Sequence, residues 1–189
     1  GQLMEYHPAA EQLKTLLQSG ELGQIYYLYA QRVNLGKIRH DENAMWSFAP
    51  HDFSVAMYLL DSEPENVSAR GAAYLQEGID DVVFVNLQFP NAVMAHIQLS
   101  WLDPHRIRRT TIVGSQKMVV FDDTETTEML KIYDKGVTNN TDYASYGEAL
   151  SLRFGDVTLP YIKMTEPLKL ECQHFLDCLI HHRRPRSDG

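Results

Sequence analysis

Residues 81–101, DVVFVNLQFPNAVMAHIQLSW, contain the pattern that decides the fold. Apolar residues alternate with other residues from Val83 to Phe89 and again from Val93 to Trp101. A period of two places each alternating set on one face of a β-strand. Pro90-Asn91 separates the two runs and favours a turn. The stretch therefore predicts a long β-hairpin with Trp101 in the core.

Further strands are predicted on both sides of this hairpin. The segment before it is rich in Tyr, Ile and Val and lacks Gly and Pro, and the segment after it forms a second hairpin around Gly114-Ser115-Gln116. The predicted ranges are 1–6, 24–34, 106–113, 117–121 and 129–133. Short turns between consecutive strands imply a largely antiparallel sheet.

Three helices accompany the strands. Pro8 is typical of a first helical position, and Gly20 follows the end of that helix. After Pro50, apolar residues recur at helical spacing as far as Leu60, and a third helix is predicted over 166–182. The helices must cover one face of the sheet, so the fold class is α+β, with an open sheet in a single domain spanning 1–189.

The other face of the predicted sheet has a mixed character. It carries Asn86, Gln88, Met94, His96 and Gln98. This composition is too polar for a core but suits water or a contact between subunits. We expect a homo-oligomer that assembles through this open face.

Composition limits the function classes. The net charge of −8 over 189 residues argues against general nucleic-acid binding. No run reaches the roughly 18 apolar residues that a membrane helix needs, and residues 1–6 do not resemble a signal peptide, so a cytoplasmic location without membrane contact is predicted. The basic segment 105–109 suits a small anionic ligand or a solvated strand face.

His51-Asp52 is the best local candidate for chemistry. The pair is predicted in the first turn of the helix after Pro50. A histidine that faces a second body could accept a proton near neutral pH. Asp52 could instead simply favour the positive end of the helix dipole, and the histidine could be structural.

Other chemical motifs are missing from the sequence. It contains no His-Glu-x-x-His and no Cys-x-x-Cys, so no metal site is predicted. It also lacks a Gly-x-Gly-x-x-Gly fingerprint, a phosphate-binding P-loop and a Gly-x-Ser-x-Gly elbow. We therefore predict no cofactor-binding residues in this chain, and a stand-alone hydrolase using His51 and Asp52 has little support.

Four motifs together point to a known family. They are Glu5-Tyr6-His7-Pro8, Ser19-Gly20-Glu21-Leu22-Gly23-Gln24-Ile25, Ala49-Pro50-His51-Asp52 and Ser100-Trp101-Leu102-Asp103-Pro104. In this order and spacing, nearly the whole chain resembles the carboxy-terminal domain of the Gfo/Idh/MocA oxidoreductases. Within that family, it is most similar to members that oxidise the 3-hydroxyl of nucleotide-linked sugars.

The resemblance implies a function. The full-length protein would be an NAD(P)-dependent sugar dehydrogenase, and this chain would be its substrate-binding and oligomerisation domain. An amino-terminal Rossmann domain, which holds the cofactor in the family, is absent from the chain, so the chain alone is expected to be inactive. The alternative is a non-catalytic ligand-binding or scaffold domain.

The resemblance also implies site residues. His51 matches the catalytic histidine, which takes the proton of the substrate hydroxyl. Ser47 stands where many members have an aspartate. The substrate-binding candidates by position are Tyr6, Asn34, Lys37, Arg39 and Asp52. Lys37 and Arg39 could pair with a carboxylate or a pyrophosphate.

Overall fold

The computed structural model describes residues 1–139 and 150–187, which contain one mostly antiparallel sheet. Its strands are β1 (Ile25–Val33), β2 (Asn66–Ala72), β3 (Val82–Gln88), β4 (Met94–Ser100), β5 (Ile107–Gly114), β6 (Met118–Asp122), β7 (Leu130–Asn139) and β8 (Leu150–Thr158). Their order is β2-β3-β4-β1-β5-β6-β7-β8. Within the described ranges, β1 with β4 is the parallel pair, and the other pairs are antiparallel.

Helices α1 and α2 cover one face of this sheet. The elements are α1 (Pro8–Gln18), α2 (Ala44–Leu60), α3 (Pro167–Ile180) and 3-10 helices over Leu3–Tyr6 and Pro90–Ala92. Helix α2 packs on β1, β3 and β4, and α1 packs on α2 and β6. We call the covered face the inner face and the opposite one the open face. The predicted α+β class, with helices on one face of an open antiparallel sheet, is confirmed.

The core lies between the inner face and the helices. The alternation in β3 and β4 sends Val85, Ile97 and Leu99 inward, where each is fully buried. Burial of one such side chain contributes about 1.5–3 kcal/mol. Trp101 is 1% exposed, which confirms its predicted place in the core.

The amino-terminal segment differs from its prediction. Residues 1–6 were expected as a strand, but Leu3–Tyr6 is a 3-10 helix. Glu5 and Tyr6 are both buried, and the Ser54 hydroxyl donates a hydrogen bond to the Glu5 carboxylate at 2.6 Å. Packing against α2 and α3 rather than pairing with a strand therefore decides its conformation.

Helix α2 begins earlier than predicted. Asn43 Oδ1 accepts the Trp46 N–H at 3.0 Å and caps the helix, so Ala44 rather than a residue after Pro50 is first. Pro50 lies inside the helix. His51 and Asp52 are consequently in its middle, and the expectation that they lie in its first turn is wrong. The helix dipole does not explain Asp52, because the dipole acts mainly within the terminal turns.

Two strands were not predicted. All but the last residue of β2 are exposed, so this edge strand lacks the half-buried alternation that reveals a strand in sequence. In the described residues β8 pairs with β7 alone, and its Leu152 and Phe154 remain exposed.

Helix α3 packs differently from its prediction. It was expected to close the domain with an apolar stripe, but it packs on the 3-10 helix at Leu3–Tyr6. Leu168, Phe175, Leu176 and Leu179 are each more than half exposed. No helix in the described ranges is both long and apolar enough to span a membrane.

Candidate functional site

The site is built around Arg32, at the end of β1. The period of two places Leu28, Ala30 and Arg32 on the inner face, and all three are buried. A guanidinium at a core position requires a carboxylate partner, because an unpaired buried charge is strongly destabilising.

Asp52 of α2 supplies that partner. Arg32 Nε donates to Asp52 Oδ2 at 2.7 Å, and Arg32 Nη2 donates to Oδ1 at 3.1 Å. The two side chains are only 10% and 5% exposed. The structure therefore places this predicted substrate-binding residue in a buried, bidentate ion pair, the strongest geometry for such a contact.

A second arginine lies beside the first. Arg108 of β5 is the direct register partner of Arg32, so both side chains belong to the inner face. Like charges directly opposite each other on neighbouring strands are destabilising. Asp123 follows β6 and offsets this second charge: its Oδ1 lies 4.0 Å from Arg108 Nη1. We call Arg32, Asp52, Arg108 and Asp123 the inner charge cluster.

Asp123 is held less tightly than Asp52. Its backbone N–H donates to the Arg108 carbonyl at 3.0 Å, but within the described residues its buried Oδ1 has no hydrogen-bond partner. Burial raises the pKa of the Asp123 carboxyl, although the positive charges of Arg32, Arg108 and His7 oppose this. The cluster therefore combines one tight and one loose ion pair.

His51 lies next to the cluster on α2 and remains accessible to solvent. Partial desolvation lowers the pKa of His51, and the charge of Arg32 lowers it further. Asp52 and Asp123 raise that pKa, while Arg108 lowers it. With its pKa below the usual 6.5, His51 is neutral at pH 7 and can accept a proton.

His7 borders the cluster from the start of α1. Its Nδ1 accepts the Ala9 N–H at 3.2 Å and caps the helix. Burial lowers the pKa of His7, although the Asp123 carboxylate raises it. The neutral imidazole is therefore the form that makes this cap.

The loop after β1 contains three predicted substrate-binding residues. Asn34 donates its N–H to the Ser100 carbonyl at 3.1 Å, and its buried Oδ1 lacks a hydrogen-bond partner among the described residues. The side chain of Lys37 is exposed. Arg39 already pairs with Asp41 at 3.2 Å and with Glu42 at 2.7 Å.

Tyr6, the remaining substrate-binding candidate, lies with the carboxy-terminal segment. It is buried, and its hydroxyl is 3.1 Å from Ser187 Oγ. Its ring packs against His174 at 5.4 Å and under the Arg186 guanidinium at 4.9 Å. The structure thus brings His51 and Asp52 to the inner charge cluster and gives Tyr6 contacts with the end of the chain.

Three residues of the site escaped the sequence prediction. Arg32 carried a usable signal, because the alternation of β1 placed a charge at a core position. Arg108 belonged to the basic segment 105–109, but this segment is divided between the two faces: Arg108 faces inward, and Arg109 faces Asp122 on the open face. Asp123 had no local signal.

Comparisons with known proteins agree with this fold. The model of the GFO/IDH/MocA C-terminal domain family matches residues 10–120. An uncharacterised oxidoreductase of Bacillus subtilis, YrbE, is 29% identical over 105 residues, which are 50% of this chain and 31% of that protein. The chain thus spans about a third of this curated relative.

Solved structures share the fold over a greater length. UDP-N-acetylglucosamine 3-dehydrogenase GnnA from Acidithiobacillus ferrooxidans has a TM-score of 0.73 and 24% identity, covering 100% of this chain and 54% of that one. A levoglucosan dehydrogenase in complex with NADH and L-sorbose has a TM-score of 0.75 and 15% identity, covering 98% and 57% of the two chains. At these identities the similarity establishes a common fold.

Proposed function

This chain belongs to the GFO/IDH/MocA family, and from that premise we propose that it is the substrate-binding domain of an NAD(P)-dependent sugar dehydrogenase. The observation that carries the proposal is His51, a solvent-accessible histidine with a lowered pKa beside the buried Arg32–Asp52 pair. A neutral imidazole in this position can take the proton from a sugar hydroxyl as that hydroxyl is oxidised to a carbonyl.

The inner charge cluster has a defined part in this proposal. Because both ends of the Arg32–Asp52 pair are buried and bidentate, the pair fixes the segment of α2 that carries His51. Asp52 therefore acts as a positioning residue rather than through direct contact with the substrate.

The proposed substrate is a sugar or a nucleotide sugar. The solved relative GnnA is named as a dehydrogenase of a UDP-linked sugar, and two cations of this chain suit an anionic group. The Arg108 guanidinium lies 4.0 Å from Asp123 and is partly accessible, and Lys37 is exposed on the loop after β1. A carboxylate or pyrophosphate is the natural partner of such side chains.

The cofactor is proposed to be bound elsewhere in a longer protein. The described residues contain no βαβ unit with a phosphate-binding loop, so they do not form the kind of site that binds a nicotinamide dinucleotide. The exposed apolar side chains of α3 suit contact with a further domain, and a cavity of about 580 Å³ between α3 and Gly1 opens beside them. We propose a Rossmann domain as that further domain.

Turnover by the full-length protein tests the catalytic proposal. Reduction of NAD or NADP is followed by absorbance with a panel of sugars and nucleotide sugars. We expect His51→Gln to lower kcat by about 10²-fold or more, the usual effect of losing a general base. The matched control is His105→Gln, because the exposed His105 side chain lies 3.7 Å from Asp103 and the His105 backbone N–H, which the substitution retains, makes the hydrogen bond to Asp103.

Two results would contradict the proposal. Equal turnover by wild type and His51→Gln would remove His51 from the reaction. Binding of a sugar nucleotide without any turnover, in the presence of either cofactor, would favour the alternative of a non-catalytic ligand-binding or scaffold domain.

We further propose that two copies of the protein associate through the open face. Tyr27, Tyr29, Phe84 and Met94 are exposed there. Polar contacts lie among them, with His96 Nδ1 2.8 Å from Asn86 Oδ1. A cavity of about 520 Å³ opens on the strands β2, β3, β4 and β1. Exposed aromatic and Met side chains with interspersed polar groups are typical of subunit interfaces.

Light scattering after size-exclusion chromatography tests this association. We expect Phe84→Glu with Met94→Glu to convert the oligomer into a smaller species, because each copy would bury two new negative charges against those of its partner across a symmetric interface. Leu35→Glu, which changes an exposed residue outside the sheet, is the control. A monomeric wild-type protein would contradict the proposal.

A further inference from the structure

The two arginines of the inner charge cluster are neutralised unequally. Arg32 and Arg108 are direct register partners on neighbouring strands, so their positive charges repel. Asp52 makes two short hydrogen bonds with Arg32, whereas Asp123 approaches Arg108 no closer than 4.0 Å. The second carboxylate therefore does not form a conventional hydrogen-bonded ion pair.

The placement of Asp123 is nevertheless well defined. Its side chain is only 10% exposed, and its backbone N–H is held by the Arg108 carbonyl at 3.0 Å. Within the described residues its buried Oδ1 accepts no hydrogen bond. A buried polar atom without a partner costs about 1–3 kcal/mol, so such an atom in a native fold requires an explanation.

The surroundings of His51 point to an explanation. His51 adjoins Asp52, which bonds with Arg32, and Arg32 is the register partner of the Arg108 that Asp123 faces. The charged groups that act on it come from four elements: Arg32 of β1, Asp52 of α2, Arg108 of β5 and Asp123 after β6. Their charges cancel while His51 is neutral. When His51 accepts a proton, three positive charges face two negative ones, and without Asp123 they would face only one.

We propose that Asp123 is a positioning residue for His51. The Asp123 carboxylate offsets the charges of Arg32 and Arg108 while His51 gains and releases a proton. This role rests on the proposed function of His51 as the proton acceptor. Asp123 acts through the electric field of the cluster, because its side chain is only 10% exposed and its Oδ1 is buried from solvent. A carboxylate that was hydrogen-bonded to Arg108 would interact more strongly with that guanidinium than Asp123 does.

The pH titration of His51, followed by NMR of its imidazole signals, tests the inference directly. The signals are assigned with His51→Gln. We expect Asp123→Asn to shift the titration midpoint of His51 to lower pH, because the variant removes a charge that favours the imidazolium. Asp123→Glu, which keeps the charge, should bring the midpoint back toward that of the wild type.

The neighbouring carboxylate provides a matched control. Asp122 bonds with Arg109 on the open face, so Asp122→Asn should leave the midpoint of His51 unchanged. Arg108→Gln should shift the midpoint of His51 in the opposite direction, to higher pH, because it removes a positive charge that lowers the pKa of His51. This variant also tests the inference if Asp123→Asn does not fold. Equal midpoints in wild type and Asp123→Asn, or no upward shift in Arg108→Gln, would overturn the inference.

A kinetic measurement separates this inference from the proposed function. In the full-length protein, the acid limb of kcat/KM should move to lower pH in Asp123→Asn, because His51 remains neutral to lower pH. Full turnover by His51→Gln would overturn the proposed function even if the NMR shifts are found. Missing NMR shifts together with an inactive His51→Gln protein would overturn only the role of Asp123.

Discussion

Two ion pairs at the same end of the sheet use the same residue types and differ in how far the arginine is exposed. On the inner face, Arg32 bonds with Asp52 at 2.7 and 3.1 Å. On the open face, Arg109 bonds with Asp122 at 2.8 and 3.0 Å. Arg32 contacts both oxygens of Asp52, whereas both nitrogens of Arg109 donate to Oδ2 of Asp122. Both carboxylates are 5% exposed, but Arg109 is 46% exposed and Arg32 only 10%.

Their difference shows that bond length alone does not determine what an ion pair contributes. If Asp122 is neutralised, Arg109 can turn to water, and Thr124 still bonds with the Asp122 side-chain oxygen. If Asp52 is neutralised, Arg32 stays buried with a charge that no carboxylate fully offsets. The Arg32–Asp52 pair therefore holds the site in place, whereas the Arg109–Asp122 pair can be replaced.

The largest expected effect is that of Asp52→Asn. We expect the free energy of unfolding to fall by about 3 kcal/mol, because the substitution leaves a buried guanidinium without its carboxylate. Urea denaturation measures the change. Asp122→Asn is the matched control and should cost less, because the Arg109 guanidinium that loses its carboxylate is 46% exposed and can be hydrated.

A double variant sharpens the comparison. Arg32→Met with Asp52→Leu removes both charges and should recover most of the stability lost in Asp52→Asn, since a buried pair can be replaced by packed apolar residues. Equal losses for Asp52→Asn and Asp122→Asn would show that burial of the arginine does not distinguish the two pairs.

The second effect is a pH dependence at the border of the inner charge cluster. Burial lowers the pKa of His7, so the unfolded chain binds a proton more readily than the folded one. The contribution of His7 to the free energy of unfolding is therefore fully present above its unfolded pKa of about 6.5 and is lost as the pH falls through its lower folded pKa. Protonation also removes the Nδ1 acceptor that caps α1 at Ala9.

His7→Asn isolates this contribution. Asparagine can cap the helix at every pH, so between about pH 7.5 and about pH 5 the variant should lose about 1 kcal/mol less stability than the wild type. His51→Gln should also reduce the loss, because the pKa of His51 is lowered as well. Identical pH profiles of wild type and His7→Asn would mean that the cap is not titrated.

The sequence predicted the elements whose burial repeats with a regular period. The hairpin of β3 and β4 follows directly from the alternation between Val83 and Trp101. The start of α2 was missed because Pro50 suggested a first position, whereas the Asn43 cap lies seven residues earlier. The residue patterns of β2 could not reveal a strand whose side chains are nearly all exposed.

The site was less accessible to prediction than the fold. His51 and Asp52 were identified as neighbours, but the partner of Asp52 comes from β1, 20 residues away in the chain. The opposition of Arg32 and Arg108 depends on the register of β1 with β5, and the sequence does not specify which strands are neighbours. Long-range pairing therefore determines the electrostatics of His51.

The smallest expected effect is that of Arg109→Gln, and its salt dependence separates the two faces. The Arg109 guanidinium is 46% exposed, so its pair with the buried Asp122 is open to solvent on the arginine side. Ion pairs open to solvent contribute about 0.2–1 kcal/mol, and salt at about 1 M reduces the Debye length to roughly 3 Å. The loss of stability in Arg109→Gln should therefore nearly vanish at high salt, whereas the loss in Asp52→Asn should persist because its partner is shielded from ions. Urea denaturation at low and high salt measures both. A large, salt-independent loss in Arg109→Gln would place the open-face pair in a buried environment, as association of two copies through that face would produce.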